Sequence, residues 1–221
     1  MGELTRTEKP VVARGRIILT RLGYGASLAA VREVRPNDTS MGFTPAGGVT
    51  MRTRSGDIDP GLACYLARTE GLDAAQFDDL VNFKSGLLGV SETSSDMRDL
   101  LLREREDSRA ADAIAIFCYQ IKKWIGAFIA TLSGLDALIF AGGIGENVPT
   151  VRARICADLE FLGIELDDTR NQCGEHVISA DDARVRVLVM RTNEELVIAR
   201  SVVKILELNA MQLFTHPLNQ K

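Results

Sequence analysis

Apolar positions along this chain recur with two different periods, and the switches between them mark out the elements. Arg16 to Arg21, RIILTR, and Ala26 to Arg32, ASLAAVR, have strand character and flank the turn LGYG. They predict a β-hairpin with a glycine-rich tip. Between Ser108 and Leu132 the period lengthens. Ala113, Ile114, Phe117, Ile121, Trp124, Ile125, Phe128 and Leu132 return every three or four positions, which gives a long helix one apolar face. Shorter helices are predicted over Gly61 to Arg68 and Asp73 to Lys84. GLLGVSETSSDMRDLLLRERE reads as a loop leading into a short helix. Asp136 to Ala141, DALIFA, suits a buried strand, and the alternation in Arg184 to Met190, RVRVLVM, predicts another. No repeat occurs at solenoid periods.

Strands alternating with helices predict an α/β domain with a mixed sheet. The stretch from Pro36 to Pro60 has no periodic run. It is rich in Gly, Thr, Ser, Asp and Pro, yet carries Met, Phe and Val, so it reads as a functional loop rather than disorder. Two strand-to-helix junctions stand out. In FAGGIGENVPT, Phe140 to Thr150, glycines crowd the handover, with Asn147 placed to cap a helix whose first turn holds Pro149. After the last strand, Thr192 and Glu195 have capping-box spacing ahead of an apolar periodic run to Leu208. Ligands of open α/β sheets sit at the carboxyl ends of strands, so the glycines are candidate backbone contacts for a nucleotide. GGIGEN matches neither the Walker-type phosphate loop nor the dinucleotide fingerprint. By spacing alone, a nucleotide contact and a plain tight turn are equally good readings.

Composition removes other classes. The chain has 221 residues, 46% hydrophobic and 25% charged, with a formal net charge of -4, which suits one large globular domain. With a pI near 5.3 there is no basic field for nucleic acid or anionic membrane. The polar start MGELTRTEKP is no signal peptide, and the apolar stretch around Phe128 to Gly145 is broken by Ser133, Gly134 and Asp136, so no membrane span is expected. Cys64, Cys118, Cys156 and Cys173 lack metal or redox spacing and read as small buried hydrophobes of a cytoplasmic protein. His176 and His216 are isolated, and each is expected in a structural role.

Four motifs occur in order: DTSMGFTP (Asp38 to Pro45), TRSGDIDPG (Thr53 to Gly61), FAGGIGEN (Phe140 to Asn147) and TNEELVIAR (Thr192 to Arg200). Together they resemble the acetate kinase family, including its propionate- and butyrate-acting relatives. The resemblance implies an RNase-H-like fold of the acetate-and-sugar-kinase and actin superfamily, with ATP or ADP and Mg2+ as cofactors. Acetate and acetyl phosphate would be the substrates, and a homodimer the assembly. Family proteins have two such domains. This chain resembles the second, nucleotide-binding one, with residues 1–15 an N-terminal extension, 16–210 the domain and 211–221 a tail. A separate N-terminal half, carrying further catalytic residues, is then an expected partner. An inactive fragment that keeps nucleotide binding or dimerisation is an open alternative, as is a kinase of another short-chain acid.

Site residues follow from the resemblance one position at a time. Arg21, Leu22, Gly23, Tyr24 and Gly25 match the phosphate-contacting turn. Asp96, Met97 and Arg98 match a segment that contacts the nucleoside. Gly143, Ile144, Gly145, Glu146 and Asn147 match the loop around adenosine. Arg54 matches the arginine at the transferring phosphoryl group, and Glu194 the magnesium-associated glutamate. A permanently cationic planar guanidinium suits phosphoryl transfer, and magnesium takes one or two carboxylates while keeping waters. Asp57 and Asp59 read as turn residues that shape the Arg54 loop. The chain departs from the family pattern twice. Tyr24 stands where an asparagine is usual. Arg52 stands where a glycine is usual, and would either crowd the acyl-phosphate site or bind phosphate itself.

Overall fold

The computed structural model describes residues 15–191. Thr192, Glu194, Glu195, the run to Leu208, the tail from Met211, His216 and nearly all of the N-terminal extension lie outside the described residues. Among the described residues five strands form one mixed sheet in the order β3-β2-β1-β4-β5: β1 (Arg16–Leu22), β2 (Ala26–Arg32), β3 (Arg35–Thr39), β4 (Ala137–Ala141) and β5 (Arg186–Val189). The predicted hairpin is present, with β1 and β2 antiparallel from Arg16 opposite Arg32 to Leu22 opposite Ala26. β4 runs parallel to β1, and β5 parallel to β4. β1, β4 and β5 therefore end at the same edge, with Arg21 opposite Ala141 and Phe140 opposite Val189.

β3 corrects the reading of residues 36–60 as one continuous loop. Its five residues, RPNDT, are all exposed. An edge strand held mainly by backbone bonds leaves no alternation to read, and its Pro36 is tolerated at an edge. The turn into it places Glu33 and Val34 at φ 52° and 67°, the left-handed pair that a two-residue hairpin needs. Beyond β3 the loop is folded on itself, as its apolar content predicted. Ser40 N donates to Leu28 O at 2.9 Å, and Leu28 N to Ser40 Oγ at 2.9 Å. Asp57 Oδ1 accepts from Gly48 N at 2.7 Å, and Asp59 Oδ1 accepts from Gly61 N at 2.6 Å, so both aspartates act as turn residues.

Among the described residues eight helices accompany the sheet: α1 (Gly61–Thr69), α2 (Ala74–Phe83), α3 (Gly86–Ser91), α4 (Met97–Arg103), α5 (Ser108–Leu132), α6 (Gly142–Asn147), α7 (Pro149–Cys156) and α8 (Asp168–Cys173). A single 3-10 turn spans Glu160–Leu162. The segment from Gly86 holds two helices, where one was expected. The long helix is as predicted, and its apolar face is the main core. Phe117, Ile121, Ile125 and Phe128 are buried with Ile18, Leu28, Leu138 and Phe140 of the sheet. Each such side chain contributes about 1.5–3 kcal/mol. By length and composition α5 could cross a membrane, but α3, α4, α7, β1 and β2 pack against it. A smaller cluster on the opposite sheet face joins Ile17, Val31, Ala137, Ile139 and Leu188. Cys118 and Cys156 are buried as expected, whereas Cys64 and Cys173 are exposed, because α1 and α8 leave those faces open. His176 Nδ1 lies 3.1 Å from Val189 O, a structural contact at β5.

At the other edge of the β1–β4 pair, Asp136 holds the start of β1. Its Oδ2 accepts from Arg16 N at 2.7 Å and Arg16 Nε at 3.0 Å, and its Oδ1 from Arg16 Nη2 at 2.6 Å. The bonded guanidinium of Arg16 holds the Asp136 carboxyl below its ordinary value of 3.8. A lowered folded pKa stabilises the fold above the ordinary aspartate range, and that contribution is lost as pH falls through the folded pKa. The side chains are 34% and 40% exposed, so screening limits the pair to about 1 kcal/mol. Asp136→Asn is therefore expected to lower stability by about 1 kcal/mol at pH 7. The difference should shrink below pH ~3 as the parent carboxyl is protonated, and urea unfolding at the two pH values measures it.

Candidate functional site

The carboxyl ends of β1 and β4 each hand over to a glycine-rich segment, and the two segments touch. Gly23 N donates to Gly25 O at 3.0 Å, which closes the hairpin tip. A Cβ on Gly23 would lie 3.7 Å from Gly143 N. Gly142 sits at φ 77°, and a Cβ there would fall 2.7 Å from Leu22 O. Only glycine fits both the dihedral and the approach. The opening junction is thus not a loop, as the glycines suggested. GGIGEN is a short helix, α6, that begins directly at the end of β4. Asn147 does not cap the next helix either. It ends α6, with its Nδ2 donating to Gly143 O at 2.9 Å, and Val148 stands at the start of α7 without a side-chain cap. Pro149 does occupy the first turn.

A cleft of about 400 Å³ opens between the hairpin tip, α6 and the start of α4. It is lined by Gly23, Tyr24, Arg52, Asp96, Met97, Arg98, Gly143, Ile144, Asn147 and Val148. All of these but Val148 are positions singled out in the sequence, Arg52 as a departure from the family pattern. Arg21, Leu22, Gly25, Gly145 and Glu146 are adjacent but do not line it. Leu22 is fully buried in the core. Gly145 turns inward, where a Cβ would meet Phe140 C at 3.5 Å, while Gly143 has nothing within 4 Å. The glycine that leaves the cleft wall open is therefore Gly143. Glu146 Oε1 accepts from Gly142 N at 3.0 Å, a bond that reinforces the first turn of α6.

Asp96 is the N-cap of α4, accepting from Arg98 N at 2.9 Å and from the Arg98 guanidinium at 3.2 and 3.0 Å. Those bonds hold its carboxyl down to about 2. It stays ionised across the physiological range, and its charge is met by Arg98. Arg54 lies outside the lining, behind the hairpin tip. Its Nη1 is 3.6 Å from where a Cβ of Gly25 would be and 3.7 Å from Met51 Sδ. Its loop is anchored, since Ser55 N donates to Val81 O at 2.9 Å and Thr53 Oγ1 to Asn82 O at 2.8 Å. Glu194 lies outside the described residues. Among the described residues no cluster of three His, Cys, Asp or Glu side chains could hold a metal.

One residue that positions the site escaped the sequence reading. Arg152 of α7 is fully buried. Its Nη1 donates to Gly145 O at 2.9 Å and Glu146 O at 3.0 Å, the open carbonyls at the end of α6. Nε donates to Asn171 Oδ1 at 2.8 Å and Nη2 to Asn171 O at 2.6 Å, while Asn171 Nδ2 donates to Pro149 O at 3.1 Å. A short helix with three glycines has little stability of its own, so this guanidinium secures it from behind. Burial pulls the Arg152 pKa below the usual arginine value, yet it remains charged. The only sequence signal was a charge between Val151 and Ile155, which reads as a surface residue.

A mixed sheet in this strand order, with helices on its faces and a cleft at the ends of β1 and β4, is the α/β fold of the actin-like ATPase class. The Acetokinase family model matches residues 5–200, and the chain belongs to that family. An acetate kinase of Carboxydothermus hydrogenoformans is 47% identical over 193 residues, covering 86% of this chain and 48% of the relative. A propionate kinase of Citrobacter rodentium is 48% identical over 191 residues, covering 86% and 47%. The crystal structure of Porphyromonas gingivalis acetate kinase superposes with a TM-score of 0.84 at 43% identity, over 87% of this chain and 49% of that one. For Entamoeba histolytica acetate kinase the values are 0.87 and 34%, over 94% and 55%. The chain thus spans about half the length of the curated relatives it matches.

Arg152→Met keeps the volume but leaves four acceptors without their donor. It is expected to cost about 3 kcal/mol, a fall of about 6–12 °C in Tm. Arg152→Lys should recover only part of this, because an ammonium cannot span both pairs of acceptors. Thermal unfolding of the three proteins measures it.

Proposed function

We propose that this chain is the nucleotide-binding half of a kinase that exchanges phosphate between ATP and a short-chain carboxylate. The observation that carries the reading is the convergence of Gly23, Tyr24, Asp96, Met97, Arg98, Gly143, Ile144 and Asn147, from three separate segments, on one cleft. Membership of the acetokinase family supplies the chemistry. Adenosine rests against Gly143, Ile144 and Asn147, where the absent side chain of Gly143 leaves room. The phosphates lie at the hairpin tip, with Arg21 to Gly25 around them. Arg54 then offers its cation to the transferring phosphoryl group. Glu194 would be the protein carboxylate for a magnesium ion held on the phosphates, where the ion would offset their charge.

The remaining parts of the proposal concern the whole enzyme. Acetate and propionate kinases match this chain with near-equal identity, so the acceptor is a short-chain acid of that class. An N-terminal half would complete the catalytic cleft and exclude water from it. A cytoplasmic homodimer is the assembly that the family resemblance implies.

Calorimetric titration of the chain with ADP and Mg2+ tests the core of this reading. Saturable binding is expected, and Gly143→Val should weaken it at least tenfold with unchanged thermal stability, since a side chain there meets solvent rather than protein. No heat at millimolar ADP from folded protein would sink the proposal. With an N-terminal half supplied, Arg54→Ala should lower turnover by ~10²–10³ with little change in ADP affinity, because the charge acts chiefly in the transition state. An acetyl phosphate assay measures it.

A further inference from the structure

Arg52 and Tyr24 meet in the cleft wall. The Arg52 guanidinium carbon lies 4.9 Å from the centroid of the Tyr24 ring, within cation–π range. Its Nε donates to Ser95 O at 3.0 Å and its Nη2 to Ser95 Oγ at 3.1 Å. The backbone below is equally constrained. Met51 O, Arg52 O and Thr53 O accept from Leu87, Leu88 and Ser85 N at 2.9, 2.9 and 3.0 Å, which ties this turn to the start of α3. A ring and a serine thus hold a long, flexible side chain in one place.

No carboxylate among the described residues is in ion-pair contact with Arg52, and Asp96 feels its charge only at longer range. Among the described residues two arginines line the cleft, Arg52 and Arg98. Arg98 is paired with Asp96 at 3.0 Å, and that carboxylate is engaged by the Arg98 backbone N–H as well. Among the described residues Arg52 has no ion pair, and its Nη1 has no hydrogen bond. Ordering an arginine costs side-chain entropy, and holding it in a half-buried wall without a carboxylate in contact adds to that cost. Such a group is suited to a ligand that brings negative charge. A planar guanidinium with one face against a ring and one nitrogen unused matches the oxygens of a phosphate.

Resting on the nucleotide reading of the cleft, we propose that Arg52 is a phosphate-binding residue for the nucleoside di- or triphosphate and that Tyr24 is its positioning residue. The two positions act as a unit. The ring keeps the guanidinium at the hairpin tip, where the phosphates lie, and Arg52 adds its positive charge there. Affinity should then depend on the phosphates far more than on the nucleoside.

Titration of the full chain and its variants with adenosine, AMP and ADP tests this. Arg52→Ala and Arg52→Gln are expected to lose on the order of ten- to a hundred-fold in ADP affinity, with adenosine affinity changed by less than about twofold. Tyr24→Phe keeps the stack and should bind ADP like the parent, while Tyr24→Ala should lose about three- to tenfold. Unchanged ADP affinity in Arg52→Gln would overturn the proposal while leaving the nucleotide reading intact. Equal losses for adenosine and ADP would also overturn it, since Arg52 would then only support the wall. A parent chain that binds none of the three ligands would remove both readings.

Discussion

The site depends on one close approach of backbone to backbone. Gly142, at the end of β4, lies so near Leu22, at the end of β1, that a Cβ would fall 2.7 Å from the Leu22 carbonyl. Parallel pairing of β1 and β4 brings the two chain ends to the same edge, and the missing side chain lets them close. From that contact follow the seat of α6 against the hairpin tip and the cleft between them. A larger residue at position 142 would push apart the elements that form both walls.

Two arginines then stabilise what the glycines make possible. Glycine in a helix is costly, and α6 has three in six residues. Arg152 offsets this from the core by binding the helix's last carbonyls. On the cleft side Arg52 is held by Tyr24 and Ser95, with one guanidinium nitrogen unused. The first is satisfied entirely by neutral oxygens of the protein. The second lines an open cleft without a carboxylate partner. Similar chemistry serves structure in one place and recognition in the other, and the partners of each guanidinium decide which.

The sequence by itself determined the hairpin, the long amphipathic helix, the strands β4 and β5 and the family. Each of these rests on short-range periodicity or on residue order, which a linear reading preserves. It also marked nine of the ten cleft-lining positions through the resemblance, Arg52 among them as a departure. Tertiary structure alone decided the rest. β3 has no apolar pattern because an edge strand is held by backbone bonds, so RPNDT read as loop. GGIGEN became a helix because a neighbouring guanidinium and the β1 end support it, against its own propensity. Gly143 and Gly145 are equivalent on paper, yet one faces the cleft and the other the core, since two helical positions apart is about 200° of rotation. Arg152 looked like a surface charge because burial depends on residues far along the chain, such as Asn171. Tyr24 and Arg52 read as two separate departures, and only folding put the ring beside the guanidinium.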